Sequence, residues 1–129
     1  MLNSGILNPQ ILDLLARIRH TNTIVIADRG FPYWPTIETV DITLVNNIPT
    51  VLQVLAAIRT NFNIGRAWMA IEFQTYNSMA VRDAFAIGLA GIPTRYEQND
   101  LFKQRVPNAI GLIRTADTVP YANIILESA

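Results

Sequence analysis

The sequence predicts an α/β fold: one domain built on a mostly parallel sheet with helices on both faces. Three observations carry this. Short β-branched apolar runs alternate along the chain with segments whose apolar residues fall at helical spacing, the pattern of a sheet crossed over by helices. The clearest run, Thr23–Ala27, is apolar at consecutive positions, as in a strand covered on both faces. The length of 129 residues suits a single domain.

Asn8-Pro9 marks a helix start, because Asn caps free N–H groups and Pro suits the first turn. Ile11, Leu12, Leu14, Leu15 and Ile18 follow on one face, and the helix is expected to end near Arg19-His20. Thr23–Ala27 is a strand, and Val40–Val45 a weaker one. Pro49-Thr50 opens a helix with Val51, Leu52, Val54, Leu55 and Ile58 inward. Residues 67–73 are expected to form the next buried strand. A helix over 78–89 follows, stopped by Gly91 and Pro93. Thr94–Glu97 is a short strand and 100–105 a small helix. Residues 109–115 and 121–126 complete the strands.

Composition excludes several classes. Lys plus Arg and Asp plus Glu are both 10, so the basic field of a nucleic-acid binder is missing. There are no cysteines, hence no disulfide, zinc thiolate or thiol nucleophile. No apolar run reaches the ~18 residues of a membrane span, and no signal peptide is read; the lack of cysteine is compatible with the cytoplasm, the location that the family resemblance given below implies. Only 16% of residues are charged and 50% are apolar, which points to a homo-oligomer that buries apolar faces between subunits. The glycines form neither a dinucleotide fingerprint nor a P-loop. One histidine without cysteine offers no metal spacing, so neither cofactor nor metal is expected.

In open α/β sheets ligands gather beyond the carboxyl ends of the strands. Asp28 follows the first strand, Glu72 lies near the end of the 67–73 strand, and Arg114 closes the 109–115 strand. His20 is expected to join them from the end of the first helix. Its unperturbed pKa makes it the acid–base candidate, against the plainer role of capping that helix. Asp28 is equally able to cap a loop, Glu72 to pair with an Arg, and Tyr121 to plug the core. The set suits proton transfer on a small polyhydroxylated molecule.

The segments Gly5-Ile6-Leu7-Asn8, His20-Thr21, Ile24-Val25-Ile26-Ala27-Asp28, Glu72, Phe102-Lys103, Ile113-Arg114-Thr115 and Pro120-Tyr121-Ala122-Asn123 through Leu126 resemble the D-ribose pyranases and L-fucose mutarotases, the ribose branch more closely. The resemblance spans nearly the whole chain. It implies a ribose-pyranase-like fold and cofactor-free interconversion of the ring forms or anomers of a free monosaccharide. It also implies a pentameric ring or a decamer with sites between neighbouring subunits. By motif position His20 matches the proton donor, Asp28 a sugar-binding acid, and Tyr121, Ala122 and Asn123 the sugar-binding turn. Asn99 stands where the ribose enzymes carry a sugar-contacting histidine. Lys103 belongs to the Phe-Lys motif. The competing reading is a non-catalytic monosaccharide-binding protein associated with transport, which needs Asp28, Tyr121 and Asn123 but not His20.

Overall fold

A computed structural model describes residues 1–129. The first helix, α1, spans Pro9–Arg17. Asn8 caps it, its Oδ1 accepting the Ile11 N–H at 3.0 Å. The helix stops two residues short of the expected end. Ile18 turns extended and buries its side chain, while the Arg19 N–H donates to the Asn22 side chain at 3.0 Å. That local turn competes successfully with another turn of helix.

Strand β1 covers Thr23–Ala27, as read from the sequence. Strand β2 is Glu38–Asp41, not 40–45. After Asp41 the chain bends, with Asp41 Oδ1 accepting the Thr43 N–H at 2.9 Å, and Val45 only bridges to Ile48. Helix α2, Val51–Arg59, begins with a reciprocal capping box between Thr50 and Gln53.

Strand β3 is Ile64–Ala70. The apolar run then changes conformation, and Ile71–Tyr76 forms α3. A continuous apolar run does not by itself distinguish a strand from a buried helix. Phe73 decides here, since helix geometry turns it inward onto Phe85 at 4.7 Å between ring centroids. Ser78 caps α4, Met79–Gly88. Strand β4 is Thr94–Glu97 and helix α5 Asn99–Arg105, followed by a 3-10 turn over Val106–Asn108. Strand β5 is Gly111–Arg114. Strand β6 starts at Ile124 and runs to Ser128, so Tyr121 precedes it in a turn with φ 58°.

The six strands lie in the order β2-β5-β1-β6-β3-β4. The pairs β2–β5, β5–β1 and β3–β4 are parallel. Strand β6 runs antiparallel between β1 and β3. The sheet is therefore mixed, and mostly parallel.

Both faces are covered. Ile24, Ile26, Met69, Ile124 and Leu126 share one core with residues of α1, α2 and α4, including Leu14, Leu55 and Phe85. Val25, Ala27, Trp68, Leu112 and Ile125 face the other way, against Phe102 of α5, Val106 and Phe31. Gly111 permits the tight seat of α1 on β5: a Cβ there would lie 2.7 Å from Leu14 and 3.2 Å from the Glu38 carbonyl. No helix is long and apolar enough to cross a membrane.

This topology gathers one set of termini. The carboxyl ends of β1 and β5 meet the start of the reversed strand β6 at one edge of the sheet. Asp28, Thr115 and Asn123 therefore become neighbours. The opposite edge carries the 18–22 turn, where Thr21 N–H donates to the Ser128 carbonyl at 3.0 Å.

Candidate functional site

A cleft of about 350 Å³ opens at the gathered edge. Asp28, Arg29, Asn99, Lys103, Asp117, Thr118, Tyr121 and Asn123 supply its polar lining. Its centre is a pair from the two ends of the chain. Asn123 is buried, and its Oδ1 accepts the Asp28 backbone N–H at 2.7 Å. Its Nδ2 donates to Asp28 Oδ2 at 3.2 Å. Asp28 Oδ1 in turn accepts the Gly30 N–H at 2.9 Å.

Burial pushes the Asp28 carboxyl above its ordinary value of 3.8. The N–H groups of Gly30 and Phe31, the Asn123 amide and the Arg114 charge pull it the other way without overcoming that cost.

Arg114 works behind the cleft rather than in its lining. Its guanidinium donates to the Asp28 carbonyl at 3.2 Å and to the Pro32 carbonyl at 3.1 Å. It thereby pins the loop that carries Asp28. Tyr121 lines the cleft, and its ring stacks on Tyr76 at 5.7 Å and 24°. The turn beneath it is held by the Asn77 amide, which donates to the Pro120 carbonyl at 2.9 Å. The Ala122 side chain is fully buried among core residues, between Tyr121 and Asn123 in the chain.

Asn99 and Lys103 close the far wall from α5. Lys103 Nζ is only loosely paired, 3.8 Å from the exposed Asp100 carboxylate. Glu72 corrects the sequence expectation. It is not at a strand end but in the first turn of α3, and both its oxygens accept the Asn99 N–H, at 3.1 and 2.9 Å. Its carboxylate anchors the start of α5 and so sets the position of Asn99.

His20 is the larger correction. It is exposed and stands before β1, at the edge opposite the cleft. Strand β1 alone puts roughly 17 Å between its two ends at about 3.3 Å per residue. Closeness in sequence misled because an intervening strand is a rigid spacer. Within one protomer His20 does not enter the site.

Asp117 was not singled out from the sequence. It is buried, lines the cleft, and joins two elements. Its Oδ2 accepts the Val51 N–H at the start of α2, and its Oδ1 the Val119 N–H, each at 2.9 Å. Its carbonyl also accepts the Arg29 N–H at 3.1 Å. The available signal was the one that found Asp28, an acid just beyond the carboxyl end of an apolar strand.

Comparisons with known proteins agree with this architecture. The profile of the RbsD / FucU transport protein family matches residues 1–129. A D-ribose pyranase of Chromobacterium violaceum is 38% identical over 128 residues, covering 99% of this chain and 97% of that protein. A structure of Bacillus subtilis RbsD complexed with D-ribose superposes with a TM-score of 0.92 at 28% identity, covering 100% of this chain and 98% of the other. A fucose mutarotase from Streptococcus pneumoniae in complex with L-fucose shares the fold, with a TM-score of 0.77 at 20% identity over 95% of this chain and 92% of the other. By its full-length match and its architecture, the chain belongs to the RbsD/FucU family.

Proposed function

We propose that this protein is an isomerase that interconverts the ring forms or anomers of a free monosaccharide, ribose, fucose or a related sugar, without a cofactor. The observation that carries the reading is the Asp28–Asn123 pair at the floor of an open polar cleft, in a chain whose relatives over nearly its whole length are D-ribose pyranases. The entire span 1–129 acts as one mutarotase-like domain in this reading, in the cytoplasm.

Ring exchange needs two proton movements. The anomeric hydroxyl gives up a proton, and the ring oxygen gains one as the C–O bond opens. Rotation and reclosure give the other form. Asp28 accepts hydrogen bonds from the hydroxyls near the reacting carbon. The second N–H of the Asn123 amide, the Tyr121 hydroxyl, the Asn99 side chain and Lys103 orient the rest of the ring.

His20 gives the proton to the ring oxygen in this reading and, so discharged, takes the one the anomeric hydroxyl loses, and its position sets a condition. Because it stands at the far edge of its own sheet, the cleft of one protomer must receive the partner's His20. A homo-oligomer, a pentameric ring or a decamer of two rings, meets that condition, and the low charge of the chain supports it.

The separation of His20 from the cleft also favours a second reading, a monosaccharide-binding protein without catalysis. Saturation-transfer NMR of anomeric protons over a panel of aldoses separates them. Exchange above the buffer rate, resistant to chelator, is the expected result. Binding with only the buffer rate of exchange assigns the protein to the second reading.

A further inference from the structure

Helix α3 lends no residue to the lining of the cleft, yet it touches both of its walls. At its start the Glu72 carboxylate holds the Asn99 N–H. At its end Tyr76 lays its ring on Tyr121, with the ring centroids 5.7 Å apart and the planes 24° from parallel. The next residue, Asn77, donates from its side-chain amide to the Phe73 carbonyl at 2.8 Å and to the Pro120 carbonyl at 2.9 Å. Phe73 anchors the helix itself, buried against Phe85 at 4.7 Å.

Tyr121 needs such a hold. Its φ of 58° is left-handed, a conformation that bulky residues rarely adopt and that persists only where the surroundings over-determine it. The Asn77 bond to Pro120 fixes the chain on one side, and the Asn123 bonds to Asp28 fix it on the other. Those bonds settle the backbone but not the ring. The Tyr121 hydroxyl has no hydrogen-bond partner within the chain, so the ring takes its plane from packing. Tyr76 is otherwise idle: it is 66% exposed and makes no side-chain hydrogen bond within the chain. An exposed ring of this kind adds little to the stability of the fold.

We infer that Tyr76 is a positioning residue of the site, whose ring covers one face of Tyr121 and fixes the plane in which the Tyr121 hydroxyl reaches into the cleft. On the sugar reading of that cleft, the sugar meets the Tyr121 hydroxyl and the uncovered face alone. Helix α3 then sets both walls together, Asn99 through Glu72 and Tyr121 through Tyr76.

The test measures ring exchange of D-ribose and L-fucose by saturation-transfer NMR on the full chain. Tyr76→Ala should raise KM by roughly 2- to 10-fold, the worth of one aromatic pair. Its kcat should stay within about twofold, as when binding shared by ground and transition states is lost. Tyr76→Phe keeps the ring and should restore the wild-type KM. In a Tyr121→Ala background, Tyr76→Ala should have no further effect, because the two residues act as a pair. An unchanged KM for Tyr76→Ala overturns the inference, as does a loss that persists in the Tyr121→Ala background. A Tyr76→Phe protein as weak as Tyr76→Ala also overturns it and makes the Tyr76 hydroxyl a sugar contact. A fall in assembled mass for Tyr76→Ala, with KM unmoved, overturns it and makes Tyr76 a contact between copies. The sugar reading fails separately, on absence of exchange by the wild type across the monosaccharide panel. The stack is then still tested by fluorine NMR of labelled tyrosines, where a Tyr121 resonance unmoved by Tyr76→Ala overturns it.

Discussion

Asn123 holds Asp28 by both its backbone and its side chain. One amide accepts the Asp28 N–H at 2.7 Å and donates to the Asp28 carboxylate at 3.2 Å, across 95 positions of sequence. The bond ties the start of β6 to the end of β1 and fixes the acid at the floor of the cleft. Asn123→Ala should therefore do two things. It leaves the Asp28 N–H without its acceptor, at a cost of about 1–3 kcal/mol of stability. It also frees the carboxylate to move, so sugar affinity and exchange rate should fall together. Urea unfolding and sugar titration on the same variant check this; unchanged stability would mean the pair is not formed in solution.

The acid itself should make stability depend on pH in a definite direction. Burial raises the Asp28 carboxyl above 3.8, so the native state keeps its proton to a higher pH than the unfolded chain does. In that window the native state binds more protons, and stability falls as pH rises through it. Above the native value the burial penalty stands in full. Asp28→Asn removes the titration. Its unfolding free energy relative to the wild type should therefore improve as pH rises from 3.8 through the raised native value, and level off above it. A difference that is flat or moves the opposite way would remove Asp28 as the buried, proton-holding carboxyl.

Asp117 joins the start of α2 to the wall of the cleft through Val51 and Val119. Asp117→Ala strands both N–H groups and should cost about 2–4 kcal/mol, the sum of a lost helix cap and an unpaired buried donor. Guanidinium unfolding measures it. Below the unfolding transition the Val119 amide should also exchange its hydrogen faster. A loss of stability with Val119 still protected would confine Asp117 to capping α2.

His20→Ala should lose at least ~100-fold in exchange rate while sugar still binds, the lower end for general acid–base catalysis. Because its cleft lies on another protomer in the proposed assembly, two inactive variants should complement each other. Mixing unfolded His20→Ala and Asn123→Ala chains and refolding them together should restore part of the rate. Light scattering should give a mass well above 14.4 kDa. A monomer, or mixed chains as inactive as each alone, would break the shared-site arrangement.

Much of this protein was legible in its sequence. Local physics sets helix starts: the Asn8 cap was read from the sequence, and the helices expected from Thr50 and Ser78 begin there, with those two residues as their caps. The β-branched run Thr23–Ala27 marked the central strand and, with it, Asp28 at the strand's carboxyl end. The alternation of elements yielded the fold class. What the sequence could not decide was nonlocal. Helix α3 was hidden because an apolar run fits either conformation, and packing of Phe73 on Phe85 chose between them. The reversal of β6 was hidden because strand direction depends on which neighbours offer free hydrogen-bonding edges. That reversal brings Asn123 to Asp28, and it leaves His20 at the far side of the sheet. Residue types announce which groups have chemistry to offer; only the tertiary structure decides which of them meet, because a strand separates residues close in sequence and a sheet joins residues far apart.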